Sequence, residues 1–483
     1  MRKLTDQEQT RREKLAMLQG MGREPYPARV GRTHQTRQLL AAWRLDQQVV
    51  IAGRVRASRL QGGSAFLKLE DETGPLQVFL QKKNLADFSH LIKLIDLGDF
   101  LEVGGTTFVT KRGERTVDAT SLRWLTKAVR PLPSEWHGLA DVETRYRYRE
   151  LDTLANPVVK DIFLTRSTML NAVRQFLVER EFVEVETPVL QPIPGGATAR
   201  PFVTHHQALD LDLYLRVAPE LYLKRLIVGG FGRVFEIGRN FRNEGIDRDH
   251  NPEFTMMECY AAYTDYEWML TLTEDLMIEL ATAIKRKPEI TLGQKTFKLK
   301  KPFKRIAYRE AILHTTKIDI DQAGDDQLRA QGRNIGTDLP DDMSRSKMID
   351  EIFKTHVRSN FIEPTFVIDF PVELSPLAKR KPNDTKYVER FQLLADGTEL
   401  GNAFSELNDP AEQRQRFEAQ ERLRQKGDTE AQPIDESYIR SLEYGLPPTS
   451  GLGIGIDRLT ALLTNQKTLK DVILFPTLKP EQP

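Results

Sequence analysis

Residues 238–260 read GRNFRNEGIDRDHNPEFTMMECY, a segment that mixes charged, amide and aromatic side chains. An exposed surface would be charged without this alternation of Phe, Met and Tyr, and a core strand would be apolar. Because side chains alternate along a strand, two sets would each share one face: Asn240, Arg242 and Glu244, and Phe254, Met256, Glu258 and Tyr260. An arginine binds oxyanions, and a ring beside carboxylates can stack a base while the acids hold amines. The segment predicts the floor of a binding site, although a half-buried strand whose acids pair with the arginines has the same spacing.

The bulk composition restricts the class of protein. The chain has 483 residues, more than one hydrophobic core ordinarily supports, so at least two domains are expected. Its formal net charge of +1 indicates no polyanion partner, and nucleic-acid binding would need a local basic face. The single cysteine, Cys259, excludes an internal disulfide and a cysteine metal cluster, and its parity predicts a core position. Without a signal-peptide pattern or ~20 consecutive apolar residues, the sequence predicts a cytoplasmic protein with no membrane partner.

Changes of pattern along the chain predict its organisation. The N-terminus predicts a helix, since Thr5 and Glu8 form a capping box and the helical pattern stops at Gly20. Short strands separated by Gly-containing turns then predict a small β-barrel, of which the OB-fold is one kind. The remainder has strands without a regular βαβ rhythm, which predicts an antiparallel sheet flanked by helices. The expected α+β multidomain chain has an N-terminal helical segment at 1–48, the barrel at 49–128, a linker at 129–150 and the antiparallel domain at 151–483.

A second informative segment is RFQLLADGTELGNAFSELND, which predicts a hairpin. Asp396-Gly397 is a strong two-residue turn signal. The turn would pair Ala395 with Thr398, Leu394 with Glu399 and Gln392 with Gly401. Gln392 and Glu399 would then share a face and could hold a hard cation such as Mg²⁺. Asn402, Phe404 and Glu406 have the other parity, so only a bulge near Gly401 would bring both sets into one pocket; the alternative is an exposed hairpin.

Near the C-terminus, GLGIGIDRLTALL places three glycines, starting at Gly451, before an amphipathic helix that carries Asp457 and Arg458. Glycines allow close approach of a ligand or a backbone, and a helix N-terminus favours anions. The spacing does not match the dinucleotide-binding fingerprint, and the chain has no Walker phosphate loop.

Together these segments resemble the class II aminoacyl-tRNA synthetases, and within them the bacterial-type lysyl-tRNA synthetases. The resemblance extends from about Arg11 to Pro480. FVEVETPVL with PIPGGATARPF, FRNEGIDRDHNPEF and GLGIGIDR are similar, in order, to the three class motifs; RVAPELYLKRL, TMMECY and ELGNAFSELND are similar to subgroup segments. The resemblance implies an OB-fold anticodon-binding domain before a class II catalytic domain. The implied activity is formation of lysyl-adenylate from L-lysine and ATP, followed by transfer of lysine to the 3′ end of tRNA(Lys). Pro188 in the first motif implies a homodimer.

The resemblance also implies roles for individual residues. Arg242 and Arg458 would be catalytic, with Arg242 on the α-phosphate of ATP and Arg458 opposite Phe254 on adenine. The implied ATP-binding residues are Arg242, Glu244, His250, Asn251, Phe254, Glu399 and Arg458. The implied lysine-binding residues are Gly196, Glu220, Arg242, Glu258, Tyr260, Asn402, Phe404 and Glu406. Glu399 and Gln392 would hold Mg²⁺, and Arg59, Phe66 and Gln77 would contact the anticodon.

Charge supports lysine as the amino acid. A substrate with two ammonium groups needs an acidic pocket, which Glu220, Glu258 and Glu406 would supply. Burying three unpaired carboxylates would be costly without such a cation. The chain departs from the family at Gln392, where Glu is usual; an amide oxygen can coordinate, but the lost charge should weaken binding of Mg²⁺.

Several other functions are compatible with parts of this pattern. Aspartyl- and asparaginyl-tRNA synthetases share the architecture, but their short polar substrates would suit three carboxylates badly. A lysine-transferring paralogue that acts on a protein or a lipid would lack the barrel or would carry membrane spans. A catalytically silent tRNA-binding protein is indicated only by Gln392.

Overall fold

The computed structural model describes residues 4–132, 139, 141–427 and 430–480. The chain forms two compact units, residues 1–139 and 140–483. Part of the predicted linker, at 133–138 and 140, lies outside the described residues. The end of that predicted linker is helical, because two short helices cover residues 142–155 in the second unit.

The first unit is built around a closed five-stranded barrel. Thr5 and Glu8 form the predicted capping box at the start of the first helix, which confirms this prediction. The strand order is β1-β2-β3-β5-β4; β3 and β5 pair in parallel and the other pairs are antiparallel. The elements are α1 (Asp6–Gly20), α2 (Thr36–Ala41), β1 (Gln48–Gln61), β2 (Ser64–Asp71), β3 (Gly74–Gln81), α3 (Phe88–Leu94), β4 (Phe100–Val109) and β5 (Arg115–Thr126). Alternate residues of the strands fill the barrel core, as expected for strands with one face buried.

The second unit contains an eight-stranded sheet with helices packed on it. The strands of the whole unit, including five outside this sheet, are β6 (Val183–Glu184), β7 (Leu190–Gln191), β8 (Val203–His206), β9 (Leu211–Leu215), β10 (Arg233–Phe241), β11 (Glu253–Ala262), β12 (Glu289–Leu292), β13 (Lys295–Lys298), β14 (Lys304–Ala307), β15 (Thr365–Pro371), β16 (Tyr387–Ala395), β17 (Thr398–Ser405) and β18 (Thr449–Gly455). Its helices are α4 (Val142–Arg147), α5 (Arg149–Ala155), α6 (Pro157–Val178), α7 (Glu220–Val228), α8 (Tyr266–Lys285), α9 (Tyr308–Thr316), α10 (Asp325–Asn334), α11 (Arg345–Ile352), α12 (Pro410–Gln425), α13 (Glu436–Glu443) and α14 (Ile456–Leu463).

The order of strands in the large sheet is β14-β15-β16-β17-β18-β11-β10-β6. The two edge pairs are parallel and the five pairs between them are antiparallel, so the prediction of an antiparallel sheet holds for its centre. One face packs against α6, α8 and α14, and Cys259 lies in this core as its parity predicts. The residues of opposite parity in β11 and β16–β18 face the other side, where the candidate site lies.

One local pattern differs from the structure. FVEVETPVL alternates as a single strand would, but only its residues 183–184 and 190 lie in strands. The glycines of GLGIGI precede the helix α14, as the sequence predicts, and they lie inside β18, in the middle of the sheet. Glycine in a central strand indicates close approach of a neighbouring group rather than a flexible loop.

A search of the described helices finds none that combines the length and the hydropathy required to cross a membrane.

Candidate functional site

The hairpin formed by β16 and β17 contains the bulge that the sequence required. Leu394 pairs with Glu399 as predicted, but Leu393 pairs with Gly401, so Leu400 is the additional residue. The predicted pairing of Gln392 with Gly401 is therefore wrong, and Gln392 pairs with Asn402. The bulge reverses the parity of β17 and places side chains from both sets on one face of the sheet.

That face forms the floor of a cavity of about 690 Å³. Nearly all of the predicted ATP- and lysine-site residues line it: Gly196, Glu220, Arg242, Glu244, His250, Asn251, Phe254, Glu258, Tyr260, Gln392, Glu399, Asn402, Phe404 and Arg458. Glu406 is buried and does not line the cavity. Its Oε1 atom lies on the side of Gly451 to which a Cβ atom would point, and Gly451 lines the cavity.

At one end of the cavity, a guanidinium and an aromatic ring lie together. The Cζ atom of Arg242 lies 5.0 Å from the centre of the Phe254 ring, on the paired ends of β10 and β11. Arg458 donates from Nη1 to the backbone oxygen of Glu399 at 3.2 Å, which holds the start of α14 beside the hairpin. Asp457 accepts from the backbone N–H of Thr255 at 2.9 Å and thereby joins α14 to β11. This end can hold an oxyanion and a flat ring between two guanidinium groups.

The loop between β10 and β11 carries the remaining residues predicted for ATP. His250 is held by Asp247, whose carboxylate oxygens lie 2.8 and 3.0 Å from Nδ1. Asn251 donates from Nδ2 to the backbone oxygen of Glu253 at 2.6 Å. Glu244 is exposed at the cavity rim. The loop therefore places one imidazole, one amide and one carboxylate around the arginine end.

The other end of the cavity is acidic. The hydroxyl of Tyr260 donates to Oε2 of Glu258 at 3.0 Å, and both side chains are buried. Burial, and secondly the charge of Glu220, raise the pKa of Glu258 to about 8. A carboxyl group in this state gains charge when a cation arrives.

Lys224, which the sequence reasoning missed, lies among these acids. Its Nζ atom lies 2.6 Å from Oε1 of Glu220 and also contacts Glu406. Burial would lower the pKa of Lys224, but the two carboxylates raise it above its usual value. The prediction of three unpaired carboxylates is thus wrong, since two of them share an internal ammonium group. The i, i+4 spacing of Glu and Lys in ELYLK was the available signal.

A second missed residue, Arg390, fixes the orientation of Asn402. Arg390 donates from Nε to Oδ1 of Asn402 at 2.8 Å, and from Nη1 to the backbone oxygen of Leu374 at 2.6 Å. Because the amide oxygen of Asn402 accepts from Arg390, its NH₂ group is the part left to donate to a ligand. This orientation suits a carboxylate in the cavity.

Two glycines permit the close packing around the acids. Gly196 has a φ of 89°, and a Cβ atom there would lie 3.0 Å from Cβ of Glu220. Its N–H donates to Oε1 of Gln432, so its carbonyl is the group left for a ligand amine. A Cβ on Gly451 would overlap the ring of Tyr260 and Oε1 of Glu406. Side chains are therefore excluded at both positions.

The donors available for a metal are few. No group of three or more His, Cys, Asp and Glu residues suited to a metal ion occurs in the described part of the chain. Glu399 and Gln392 offer two oxygen-bearing side chains on the cavity floor. This set fits Mg²⁺ carried mainly by substrate phosphates, because Mg²⁺ in such sites takes one or two protein oxygens.

On the barrel, the predicted anticodon residues lie on β1–β3. Arg59 pairs with Phe66 across β1 and β2, and Gln77 donates to Oγ1 of Thr116 at 2.9 Å. Phe66 stacks on Phe79 with ring centres 4.5 Å apart. Phe79 in turn lies 6.1 Å from Phe108, so the sequence reasoning missed two rings of a three-ring surface. All three rings are half-buried, and accessible ring faces on an OB-type barrel can stack unpaired bases.

Comparison with known proteins agrees with this arrangement. Residues 141–479 match the family model described as tRNA synthetases class II (D, K and N). Residues 49–125 match the model of the OB-fold nucleic acid binding domain. Both matches confirm the predicted fold class: an OB-fold barrel followed by a class II catalytic domain.

Curated relatives cover nearly the whole chain. A lysine–tRNA ligase of Carboxydothermus hydrogenoformans is 48% identical over 97% of this chain and 97% of its own length. The lysine–tRNA ligase of Bacillus subtilis is 45% identical over 99% of this chain and 98% of its own length. That of Christiangramia forsetii is 46% identical over 100% of this chain and 88% of its own length. The chain therefore belongs to the class II tRNA synthetases, within the family of lysine–tRNA ligases.

Proposed function

We propose that this protein is a lysine–tRNA ligase, which activates L-lysine with ATP and transfers the lysyl group to the 3′ end of tRNA(Lys). The observation that carries the proposal is the polarity of one cavity, with Arg242 on Phe254 at one end and buried carboxylates at the other. ATP fits the first end and a diamino acid fits the second.

In the activation step, the ends of the cavity hold the two reactants next to each other. The α-phosphate lies at Arg242, with adenine between Phe254 and Arg458 and its amino group donating to Glu244. His250 and Asn251 lie toward the triphosphate. The carboxylate of lysine attacks the α-phosphorus in line and pyrophosphate leaves, so no nucleophile from the protein is needed. Arg242 stabilises the charge that develops on the phosphoryl oxygens.

In the amino-acid pocket, each polar group of lysine has a complementary partner. Asn402, oriented by Arg390, and Arg242 take the carboxylate. Glu220 and the Gly196 carbonyl take the α-ammonium. The ε-ammonium lies between Glu406, Tyr260 and Glu258, and Phe404 covers the aliphatic stem.

We assign Mg²⁺ to the hairpin, held by Glu399 with Gln392 as a neutral second donor. When bound, the ion neutralises charge on the phosphates of ATP. Glu399 would hold the ion through its carboxylate, and Arg458 fixes the backbone of Glu399 by donating to its carbonyl oxygen.

The ionisation of Glu258 predicts a pH dependence of lysine binding. A raised carboxyl pKa means that Glu258 is neutral below about pH 8 in the empty pocket, whereas an ammonium group favours the charged form. Affinity for lysine should therefore rise about tenfold between pH 6.5 and pH 8, measured by calorimetry. In Glu258→Gln this rise should disappear; a rise of equal size in the variant would assign it to another group.

The aromatic surface of the barrel predicts a separate effect on tRNA. Phe66→Ala should raise the KM for tRNA(Lys) about 10- to 100-fold in aminoacylation, because a stacked base contributes roughly 1–3 kcal/mol. Lysine-dependent ATP–pyrophosphate exchange should not change, since it needs no tRNA. Val109→Ala, at an exposed apolar position of β4, is the matched control. An unchanged KM in Phe66→Ala would remove this surface from the anticodon site.

We propose that the protein is a homodimer. Exposed apolar side chains cluster on and around the small sheet β7-β9-β8, next to Pro188: Val189, Leu190, Val203, Leu209 and Leu211. Such a patch favours a protein interface. Sedimentation should give a dimer for the parent and mainly monomer for Val203→Asp/Leu209→Asp. Val109→Asp, on the barrel, should remain dimeric, and a monomeric parent would contradict the assignment.

The cytoplasm is the compartment that provides tRNA, ATP and a reducing environment for the buried Cys259. The direct test of the proposed function is aminoacylation of tRNA(Lys) with labelled lysine. Charging of tRNA is the expected result. Transfer of lysine only to a protein or lipid acceptor, or tRNA binding without charging, would contradict it.

A further inference from the structure

The side chain of Lys224 is fully buried, and its ammonium group lies between two carboxylates of the amino-acid pocket. Its Nζ atom forms ion pairs with Glu220 and Glu406. The same atom lies 5.4 Å from the centre of the Phe404 ring and 5.9 Å from that of the Tyr438 ring. Lys224 does not line the cavity. It is a fixed cation of the protein behind the pocket wall.

Each carboxylate gives Lys224 only one oxygen. Lys224 contacts Oε1 of Glu220 and Oε2 of Glu406. The other oxygen of Glu406 faces Gly451 at the cavity wall, and no hydrogen-bond partner for it occurs among the described residues. Glu220 itself lines the cavity. The bridge therefore orients both carboxylates and leaves one oxygen of each for a ligand.

The charges of the pocket then balance those of one class of ligand. Glu220, Glu258 and Glu406 with Lys224 carry a net charge of −2 when all four are ionised. A diamino acid brings two ammonium groups, and its carboxylate is taken by Arg242 and Asn402. Buried charge is tolerated where it is paired, so this balance favours ligands with two ammonium groups over those with one.

We propose that Lys224 is a specificity-determining residue, a built-in counter-ion that favours the ionised forms of Glu220 and Glu406 and orients them for an amino acid with two ammonium groups. This inference rests on the proposed function, since it presupposes that lysine occupies the pocket. Without Lys224, two buried carboxylates that had shared one ammonium group cannot both stay ionised, so one takes up a proton. The ε-ammonium of lysine then loses its charged partner.

The experiment compares binding of two ligands to the full chain. L-lysine is titrated by calorimetry, and L-norleucine, which is lysine without the ε-ammonium group, is measured by competition. In Lys224→Met, lysine affinity should fall about 100-fold while norleucine affinity changes less than about threefold, so discrimination between them falls. Lys224→Gln, which keeps a polar atom at the buried position, should behave in the same way. ATP affinity should be unchanged in both Lys224 variants, and this result would show that the site is still folded.

Lys127 provides a matched control. It is also fully buried and bridges two carboxylates, Asp96 and Asp99, within the first unit. Lys127→Met removes the same kind of group but should leave the lysine and norleucine affinities at their parent values.

Different outcomes separate the inference from the function on which it rests. Parent protein that does not bind lysine would overturn the proposed function. Parent protein that binds lysine, with Lys224 variants that bind it equally well or more tightly, would overturn the inference alone. Equal losses for lysine and norleucine would also overturn it, because they would indicate a purely structural role.

Discussion

Arg242→Gln is expected to reduce lysine-dependent ATP–pyrophosphate exchange by about 100- to 1,000-fold. Arg242 is the guanidinium at the proposed nucleotide end of the cavity, with its Cζ atom 5.0 Å from the centre of the Phe254 ring. It would contact both the α-phosphate and the carboxylate that attacks it. Loss of one charged donor to a phosphoryl group costs about 3–4 kcal/mol in the transition state. The loss should appear in kcat and in the KM for lysine, because Arg242 would contact the lysine carboxylate as well as the α-phosphate.

Arg239→Gln is the matched control for this prediction. Arg239 lies three residues earlier on β10, outside the cavity lining, in a half-exposed ion pair with Glu253 at 3.5 Å. Exposed pairs of this kind contribute about 0–1 kcal/mol, so exchange should stay within about twofold of the parent. Exchange by Arg242→Gln within tenfold of the parent would show that the α-phosphate lies elsewhere.

Gly451→Ala is expected to abolish binding of lysine while binding of ATP persists. A Cβ atom at Gly451 would overlap the ring of Tyr260 and Oε1 of Glu406, which belong to the proposed ε-ammonium site. Neither group can withdraw easily, because Tyr260 and Glu406 are buried. Overpacking at such a site costs about 1–3 kcal/mol or more and displaces the two groups that would hold the ammonium. Lysine affinity should fall by at least about 100-fold, measured by calorimetry.

The same substitution two residues later distinguishes this effect from general damage to β18. A Cβ atom on Gly453 would lie 3.1 Å from Cε of Met256, the flexible end of an adaptable side chain. Gly453→Ala should therefore cause a far smaller loss of lysine affinity than Gly451→Ala. Equal losses in the two variants would place the ε-ammonium away from Gly451.

Much of the site could be predicted from residue parity. The alternation of Phe254, Met256, Glu258 and Tyr260 correctly placed four side chains on one face and Cys259 in the core. The two-residue turn at Asp396-Gly397 correctly gave the first two pairs of the hairpin. The requirement for a bulge was also correct, because chemistry-bearing side chains of both parities had to reach one pocket.

The remaining features depend on contacts between distant segments. The bulge lies at Leu400, and its position could not follow from local spacing because pairing with β18 also determines the register. The spacing in ELYLK indicates the Glu220–Lys224 pair, but the contact of Lys224 with Glu406 and that of Arg390 with Asn402 arise only when distant segments meet. The glycines of β18 were correctly placed before a helix, but their position inside the sheet, where Gly451 packs against Tyr260 and Glu406, did not follow from their spacing. A single sequence does not contain these tertiary constraints in local form.

The most direct test of the account is ATP–pyrophosphate exchange with each of the twenty amino acids over a series of Mg²⁺ concentrations. The polar cavity, with its arginine end and its acidic end, predicts exchange with L-lysine and none of comparable rate with the other nineteen. Such a result would also show that Gln392 beside Glu399 is compatible with catalysis. Exchange with aspartate or asparagine, or no exchange at any Mg²⁺ concentration, would contradict the assignment of the acidic end to a diamino acid.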